Sequence, residues 1–527
     1  MVIPYIYKMF KFISCTLIIL FLYGNSYAQD KGLKVKSSKG KDTAVIDFNR
    51  RIALIVGNAK YEKGELKNPA HDASRFADVL KKYGFEVILK TDLDRKELNK
   101  VINDFGDSIT AKKGVSFFYY SGHGLQYNSK NYMLPLGSEI EKEEDISDEA
   151  VELNKVLEKM TKTNNGLNFV ILDACRNNPV YSSLPGLPKG LTDKEKLPGN
   201  TSVFYATTPG DVAMDGTGTN SPFTEALAES ITTTDSIEFY QVVRKVVKQV
   251  KSKTNPVQQP SITGSPEDEF YFKARKTKSR LFFLSIGISV YKNNALNLKY
   301  AQKDANNVAE TFKKQQGLLY DEVKTWKIFD SHATRMQIHS TVNSIKQQVR
   351  PGDVIMIFFA GHNIISEVTG ESYFLTADGD VDSVDITGVK YEDIRSLLAD
   401  LPCKSVLFLE GSYNPRTIKE LTSTENGVAI ITSTGQHEYS YESDKAGGGF
   451  FTKALIEGVN GIADKAITGF VDLRSLYYYV DERVSNLSEG MQRPQFFIPS
   501  GISNFRISQT IITKLPKEKT EVMPAIR

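Results

Sequence analysis

Two residues of this chain could together form a nucleophile and its base. Cys175 ends the apolar segment ILDAC, and His123 lies in the segment YSGHG about 50 residues earlier. A thiolate can attack a carbonyl carbon, and a nearby imidazole can take the thiol proton. The backbone N–H groups of Gly124 and of Cys175 itself could then hold the oxyanion that forms. These residues predict nucleophilic catalysis that needs no metal or cofactor.

The elements around these residues predict a mostly parallel sheet. Five bounded apolar runs predict strands, and amphipathic patterns between them predict helices. The predicted strands are 51–57, 85–90, 114–120, 168–173 and 202–207, and two predicted helices are 72–82 and 95–109. Such strands, alternating with helices, predict an α/β fold with helices on both faces of the sheet. His123 and Cys175 follow the predicted ends of two strands, which is where such sheets bind ligands.

The chain repeats itself once with a period of roughly 235 residues, which predicts two copies of one domain. The recurring segments of the first copy are RIALIVGNAKY (51–61), LKNPAHDA (66–73), FYYSGH (118–123), LDAC (172–175) and FTEAL (223–227). Their counterparts are RLFFLSIGISVY (280–291), LKYAQKDA (298–305), IFFAGH (357–362), LEGS (409–412) and FTKAL (451–455). Both copies therefore carry a histidine, but the cysteine of the first copy is a serine in the second.

The organisation of the chain follows from these repeats and from composition. Lys8 and Lys11 precede a short apolar run and the small-residue site SYA, which is typical of a signal peptide cleaved after Ala28. The predicted parts are a signal peptide (1–28), a linker (29–48), a first domain (49–265), a second linker (266–279), a second domain (280–510) and a tail (511–527). We therefore expect export to the periplasm or the exterior, with no membrane segment after cleavage.

Charge and composition exclude some classes of function. Hydrophobic residues make up 40% and charged residues 24% of the chain, as in ordinary globular proteins. The net charge of +3 gives no electrostatic reason to expect nucleic acid as a partner. No phosphate-binding loop, dinucleotide fingerprint or zinc pattern is present, so no cofactor is expected.

The motifs resemble the caspase and metacaspase superfamily of cysteine peptidases, and most closely its bacterial metacaspase-type members. His-Gly followed about 50 residues later by a strand that ends in Ala-Cys-Arg is typical of caspases. The segments SVFYATTPG (202–210) and NSPFTEAL (220–227) are similar to the start of the small subunit in that family. The resemblance implies two caspase-like domains and endopeptidase activity through Cys175 and His123.

The resemblance also implies a preference for basic substrates. Asp173 stands where caspases have glutamine, Asp72 where metacaspases have a second pocket acid, and Asp215 roughly where caspases have a pocket arginine. Carboxylates in a pocket favour a guanidinium or ammonium group, which predicts peptide substrates cleaved after Arg or Lys. The alternatives are structural: Asp72 could stabilise a helix dipole, Asp173 could end a strand, and Asp215 could serve a turn.

Two segments of the first domain could take part in its regulation. Relatives are cut between their large and small subunits, and here that loop carries three possible self-cleavage sites, Lys189, Lys194 and Lys196. A solvated lysine loop is the alternative. The acidic run 141–149 could hold calcium, which activates some metacaspases. Its spacing matches no EF-hand loop, which favours a solvated surface.

The second copy has the features of an inactive domain. It keeps His362, but Ser412 replaces the nucleophile and Asn363 replaces the glycine after the histidine. Glu410 replaces Asp173, which we interpret as a loss of the pocket acid pattern. We expect this degenerate site, His362 and Ser412, to be inactive, and the second domain to contact the first as a pseudo-partner. A serine hydrolase at His362 and Ser412 is the alternative.

Two further interpretations of the whole chain stay open. Both repeats could serve as non-catalytic interaction or scaffold modules. The chain could also be an exported peptidase of the gingipain or clostripain type, which would cleave after basic residues too. The complete set of nucleophile, histidine, glycines and acids in the first repeat favours the metacaspase-like peptidase.

Overall fold

A computed structural model describes residues 47–109, 114–162, 166–175, 191–192, 197, 199–208, 213–233, 238–264, 266, 268–273, 278–411, 423–435 and 438–510. The side chain of Cys175 lies outside this description. Outside it as well lie the predicted signal peptide (1–28), most of the first linker, the three lysines Lys189, Lys194 and Lys196, Ser412 and the tail (511–527). The predictions that concern them stay predictions.

Strands and helices alternate along the first domain, by which we mean the elements β1 to β8. The strands are β1 (Arg51–Gly57), β2 (Glu86–Thr91), β3 (Val115–Tyr127), β4 (Lys130–Met133), β5 (Val151–Glu152), β6 (Leu167–Cys175), β7 (Thr201–Tyr205) and β8 (Ser261–Thr263). The helices are α1 (Pro69–Lys82), α2 (Arg95–Ile109), α3 (Asp145–Glu149), α4 (Asn154–Lys162), α5 (Pro222–Thr232) and α6 (Phe239–Lys253).

These strands form one sheet in the order β2-β1-β3-β6-β7-β8. Neighbouring strands run parallel from β2 to β7, and β8 is antiparallel to β7. Strands β4 and β5 extend from the far end of β3 as antiparallel neighbours. The predicted α/β fold with a mostly parallel sheet is confirmed.

Strand β3 is longer than the sequence predicted. The apolar run ends at Tyr120, but the strand continues to Tyr127, so the prediction that it ends before His123 is wrong. Gly122 has a φ of +154°, which lets the backbone turn away from the parallel sheet. A Cβ atom there would lie 2.7 Å from the hydroxyl of Tyr61. Beyond this turn the strand pairs with β4, starting at Gly124.

Two apolar cores cover the two faces of the sheet, because successive side chains of a strand point to opposite faces. In β3, Phe117 and Tyr119 belong to one core, and Phe118 and Tyr120 belong to the other. All four are fully buried. The middle strand is therefore held from both sides just before it reaches His123.

The second domain, by which we mean the elements from β9 onward, contains thirteen described strands. They are β9 (Ser279–Gly287), β10 (Tyr320–Phe329), β11 (Val354–Ala360), β12 (Asn363–Ile365), β13 (Ser372–Phe374), β14 (Val389–Lys390), β15 (Lys404–Glu410), β16 (Val428–Thr432), β17 (Glu442–Ser443), β18 (Gly448–Gly449), β19 (Phe470–Asp472), β20 (Gln495–Phe497) and β21 (Arg506–Gln509). The α-helices are α7 (Ala301–Lys313), α8 (Arg335–Lys346), α9 (Val384–Thr387), α10 (Tyr391–Ala399), α11 (Phe450–Glu457) and α12 (Leu473–Leu487). Two 3₁₀ turns (Asn294–Leu296 and Asp330–His332) and one π-helical turn (Gly458–Ile462) complete it.

The main sheet of the second domain repeats the order of the first. Its strands follow the order β10-β9-β11-β15-β16-β20, with parallel pairing except for β20 against β16. Strands β12, β13 and β14 form a separate small sheet at the position of the extension carried by β3 in the first domain. The internal repeat of the sequence is therefore a repeat of the fold.

Helix α6 of the first domain contacts the second domain directly. The buried guanidinium of Arg244 donates hydrogen bonds to the carbonyl oxygens of Gly501 (2.8 Å) and Cys403 (3.2 Å). Lys251 forms an ion pair with Glu425 at 2.7 Å. Hydrogen bonds between a charged donor and buried carbonyls are stronger than neutral ones, so this contact fixes α6 against the second domain.

Buried charges surround this contact. Glu238 and Lys404 are 1% and 5% exposed, and Lys404 forms an ion pair with Glu269. Burial raises the pKa of Glu238, and the charges of Lys404 and Arg244 oppose that rise. Burial lowers the pKa of Lys404 to about 8, although the charge of Glu238 acts in the opposite direction. The contact between the domains thus depends on charge balance.

Among the residues that the structure describes, no helix has both the length and the apolar character that a bilayer crossing requires.

Candidate active site

Strands β3 and β6 bring the two predicted catalytic residues together. Their register places His123 opposite Cys175 and Ser121 opposite Asp173. Adjacent parallel strands lie less than about 5 Å apart. The backbones of His123 and Cys175 are therefore neighbours at the C-terminal edge of the sheet.

The imidazole of His123 is held by a backbone carbonyl and by an aromatic ring. Its Nε2 lies 2.6 Å from the carbonyl oxygen of Gly64, and the ring of Tyr61 lies 4.4 Å away between centroids. The backbone N–H of His123 donates to the hydroxyl of Tyr61 at 3.0 Å. These contacts fix both the position and the orientation of the ring.

The carbonyl contact also decides which nitrogen of His123 carries the proton. A carbonyl oxygen only accepts, so Nε2 must donate and Nδ1 keeps its lone pair. In the described part of the structure Nδ1 is buried without a hydrogen-bond partner. Burial lowers the pKa of His123, while the Gly64 carbonyl and the charge of Asp215 act in the opposite direction. The ring is therefore neutral near pH 7, as a general base requires.

Tyr61 and Gly64 were missed by the sequence analysis. The hydroxyl of Tyr61 donates to the carbonyl of Leu134 at 3.0 Å and lies 3.1 Å from the hydroxyl of Tyr120. One signal for Tyr61 was available, since the tyrosine recurs as Tyr291 in the second repeat. No side-chain pattern could reveal Gly64, because it acts through its carbonyl group.

Asp173 is held by hydroxyl groups. Its Oδ2 accepts hydrogen bonds from the hydroxyls of Ser221 and Thr224, the latter at 2.7 Å, and from that of Tyr119 at 3.4 Å. Ser221 is also the N-cap of α5 and accepts from the N–H of Thr224. The start of α5 therefore orients this carboxylate.

Asp72 lies in the first turn of α1, beside Asp173. Its Oδ1 accepts from the side-chain amide of Asn220 (2.8 Å) and from the N–H of Ser221 (3.0 Å). Its Oδ2 is buried, with no hydrogen-bond partner among the described residues. Because an unpaired buried carboxylate oxygen is costly, this atom is a natural contact for a ligand.

Both carboxyl groups have raised pKa values. Burial, reinforced by the charge of Asp173, raises the pKa of Asp72 to about 8. Burial also raises the pKa of Asp173 to about 6, although the hydroxyls of Ser221 and Thr224 hold it down. No cation is among the groups that shift these two pKa values. The pair therefore carries about one proton near neutral pH, on Asp72, unless a positive group enters.

Asp215 closes the same small pocket but uses its carboxylate differently. Its two oxygens accept backbone N–H groups of Lys67 (2.8 Å) and Asn68 (3.3 Å), just before α1. Together with Asp72 and Asp173 it lines a cavity of about 20 Å³, which is room for little more than one water molecule. Asp215 therefore positions the start of α1 and adds negative charge to the pocket.

The glycine after His123 lies where space is limited. Gly124 opens the pairing of β3 with β4, and a Cβ atom there would lie 3.3 Å from the side chain of Ala174. Its role as an oxyanion donor, with the N–H of Cys175, stays a prediction.

The second domain repeats the contacts that hold the histidine in place. Nε2 of His362 lies 2.7 Å from the carbonyl oxygen of Leu296, and its backbone N–H donates to the hydroxyl of Tyr291 at 2.9 Å. The rings of Tyr291 and His362 lie 5.1 Å apart. The contacts that hold the histidine have therefore been retained, although the nucleophile position carries Ser412.

The space beside that histidine is filled. Asn363, at the position of Gly124, hydrogen-bonds to the hydroxyl of Tyr391 and to the carbonyl of Glu410. Its amide lies where a side chain on Gly411 would be, so only glycine fits there. The first domain has Ala174 at that position. Two compensating replacements thus put an amide where the first domain has the methyl group of Ala174.

The acidic pair is also retained in the second domain, so the interpretation that its pocket acid pattern is lost is wrong. Asp304 accepts from the N–H of Gly449 at 2.8 Å, and Glu410 accepts from the hydroxyl of Thr452 at 3.0 Å. These bonds match those that Asp72 and Asp173 receive from the start of α5. Burial raises the pKa of Asp304 to about 7, and burial with the charge of Asp304 raises that of Glu410.

The described residues contain no group of three or more His, Cys, Asp or Glu side chains placed to hold a metal ion. In the acidic run 141–149, the carboxylate of Asp145 accepts backbone N–H groups of Glu141 and Lys142. Calcium activation stays a prediction.

Comparisons with known proteins place these features in a family. The family model of the caspase domain matches residues 50–271 and 282–505. The mucosa-associated lymphoid tissue lymphoma translocation protein 1 of Homo sapiens and its homolog of Mus musculus are each 28% identical to the chain over 167 residues. These matches cover 31% of this chain and 19% of each relative, so the chain spans about a fifth of their length.

Among solved structures, the crystal structure of a protein from Geobacter sulfurreducens is 13% identical to this chain, with a TM-score of 0.33. The match covers 42% of this chain and 93% of that chain.

Proposed function

Because the chain belongs to the caspase-domain family of cysteine peptidases, we propose that its first domain is a metacaspase-type endopeptidase that cleaves after Arg or Lys. The single observation that carries this proposal is the combination at one sheet edge. The backbone of His123, whose Nδ1 has no partner among the described residues, pairs with that of Cys175, and the buried acid Asp173 lies two residues before Cys175 and beside Asp72.

The first step is activation of the thiol. Nδ1 of His123 takes the proton of Cys175, while the Gly64 carbonyl keeps the proton on Nε2 in place. The imidazolium that forms is stabilised by this hydrogen bond, and the thiolate is the nucleophile. Tyr61 keeps the ring oriented while the thioester forms and while it is hydrolysed.

The second step is acyl transfer. The thiolate attacks the carbonyl carbon of the scissile bond, and the N–H groups of Gly124 and Cys175 receive the oxyanion. The imidazolium then gives its proton to the leaving amine, which leaves a thioester on Cys175. Water, deprotonated by the same imidazole, hydrolyses the thioester and restores the enzyme.

Specificity comes from the acidic pair. A guanidinium or ammonium group that meets Asp72 and Asp173 would satisfy the unpartnered Oδ2 of Asp72 and displace the proton of Asp72. The cavity of about 20 Å³ is too small for such a group. We therefore expect the segment that carries Asn220 and Ser221 to move when a substrate side chain enters.

Export and processing belong to the same proposal. An exported enzyme that prefers basic residues could cleave itself at Lys189, Lys194 or Lys196, and its partners would be proteins or peptides rich in lysine and arginine. The second domain would act as an inactive partner held against α6 through Arg244.

The test is hydrolysis of short fluorogenic peptides that end in Arg, Lys or Asp, with and without calcium. We expect release from Arg and Lys peptides, loss of activity in Cys175→Ala, and a large rise in KM in Asp72→Asn. Cys403→Ala is the matched control, because Cys403 is buried in the second domain. Cleavage after Asp, or full activity of Cys175→Ala, would contradict the proposal.

A further inference from the structure

A second acidic cavity lies at the C-terminal edge of the sheet in the second domain. Its volume is about 610 Å³, compared with about 20 Å³ for the corresponding pocket of the first domain. Its walls carry His362 and four carboxyl groups, those of Asp304, Glu410, Glu438 and Glu442. The cavity therefore occupies the position of a peptidase pocket in a domain that has serine at the nucleophile position.

Two glycines make room for the carboxylates at the wall of this cavity. Gly448 and Gly449 stand at the positions of Asn220 and Ser221, whose side chains close the pocket of the first domain. A Cβ atom on Gly448 would overlap the carboxylate of Asp304. The space that side chains fill in the first domain is thus taken by carboxylates in the second.

The replacement of Asp173 by Glu410 fits the same change. Glutamate is one methylene longer than aspartate, and its carboxylate reaches the volume that the Ser221 side chain occupies in the first domain. A Cβ atom on Gly449 would overlap Oε1 of Glu410. The longer acid and the missing side chain are complementary, so the carboxylate has been kept at the wall of a larger cavity.

The acidic wall of the cavity is largely desolvated. Asp304 is 3% exposed, its Oδ2 accepts the N–H of Gly449, and Glu410 lines the cavity with it. Burying neighbouring carboxylates is costly, because their charged forms lose hydration and repel each other. A cation that enters the cavity would offset this cost.

The walls indicate which kind of cation fits. The described carboxylates are not grouped closely enough to hold a metal ion. Leu298 and Ala301 supply an apolar wall. Tyr439, which is 78% exposed, lines the same cavity. Long basic side chains combine an apolar stem with a charged end, and tyrosine rings attract cations. An organic cation on an apolar stem therefore matches the cavity better than a bare ion does.

We propose that the second domain binds an arginine or lysine side chain of a peptide in this cavity and does not cleave the peptide. Serine stands at the nucleophile position of this domain, and a serine hydroxyl is a far weaker nucleophile than a thiolate, so we expect the bound peptide to stay intact. This binding does not depend on the peptidase activity proposed for the first domain. It would give the chain a second, non-catalytic site for basic peptides.

The test measures peptide binding by fluorescence anisotropy with the full chain. The protein carries Cys175→Ala and Asp72→Asn, so that it neither cleaves the probe nor binds it in the first pocket. The probe is a fluorescein-labelled short peptide with one arginine, and the control peptide carries citrulline, which has the same shape without the charge. Asp304→Asn and Glu410→Gln are added singly, with the exposed Asp321→Asn as the matched control.

We expect the arginine peptide to bind and the citrulline peptide to bind at least tenfold more weakly. Asp304→Asn and Glu410→Gln should each raise Kd by about 10- to 100-fold, the loss expected for one charge-assisted hydrogen bond. Asp321→Asn should leave Kd unchanged. Equal binding of the two peptides, or no effect of either cavity variant, would overturn the proposal.

A gain-of-bulk variant covers the case in which a charge variant fails to fold. Gly449→Ser restores the residue of the first domain and places its side chain against Glu410. We expect this variant to lose binding, so that the probe no longer raises its melting temperature. The peptidase proposal is tested separately. It fails if Asp72→Asn changes neither the rate of peptide hydrolysis nor the number of peptides bound per chain.

Discussion

Replacing Asp72 by asparagine should remove much of the pH dependence of stability of the first domain. In the unfolded chain an aspartate has a pKa near 3.9, whereas burial and the charge of Asp173 raise the pKa of Asp72 to about 8. Between these values the folded state holds a proton that the unfolded state has released. The free energy of unfolding therefore falls as pH rises, and the contribution is fully present only below the unfolded pKa.

The magnitude follows from the size of the shift. One proton difference changes the free energy of unfolding by about 1.4 kcal/mol per pH unit. Asp173, whose pKa is raised to about 6, titrates at the lower end of the same range. From pH 6 to pH 8 we expect the wild-type domain to lose about 2 kcal/mol. Asp72→Asn keeps an acceptor for Asn220 and Ser221 and cannot titrate at this position, so only the smaller contribution of Asp173 should remain.

The assay is urea unfolding at pH 6, 7 and 8. Far-UV circular dichroism follows both domains, while Trp326, the chain's one tryptophan, reports on the second domain. The contribution of Asp304 in the second domain is the same in both proteins and cancels in the comparison. Asp78→Asn is the matched control, because this side chain lies on α1 and is 65% exposed. Equal pH slopes in wild type and Asp72→Asn would refute the assignment of a buried pair that carries a proton on Asp72.

Three further outcomes test other contacts. Tyr61→Phe removes the hydroxyl that accepts the N–H of His123, so kcat should fall about tenfold with little change in KM; an unchanged kcat would count against its positioning role. Arg244→Met leaves Glu238 buried with less positive charge nearby, so urea unfolding should show a loss of about 3 kcal/mol; a loss below about 1 kcal/mol would mean that the charge balance matters little. Cys403 is fully buried with a pKa raised to about 12 by burial, so iodoacetamide should leave it unmodified in native Cys175→Ala at pH 8; mass spectrometry that finds it alkylated would contradict this.

Much of the fold could be predicted from the sequence, because apolar periodicity reports burial directly. The pattern over 95–109 matches α2, and 51–57 matches β1. The far half of β3 was missed because Gly-His-Gly interrupts the apolar run, while pairing with β4 continues the strand through backbone hydrogen bonds. Backbone pairing of that kind leaves little trace in residue type.

The candidate site likewise contains residues that the sequence reveals and residues that only the folded structure reveals. His123 could be identified from its motif and its spacing from Cys175, and Asp173 from the resemblance to metacaspases. The Gly64 carbonyl could not, since every residue has one. The retained acid Glu410 was misread because the change that makes room for it, at Gly449, lies in a distant part of the chain, and only the folded structure brings the two together.

The Arg244 contact sets an order of events during synthesis. Arg244 and its partner Gly501 are separated by 257 positions. Ribosomes add roughly 5–20 residues per second, and domains fold as they emerge. Helix α6 must therefore wait for on the order of 10 seconds or more with its arginine in water before the acceptor exists. The first domain has to hold its shape alone during that interval, and the contact between the two domains can form only after the second domain has been synthesised.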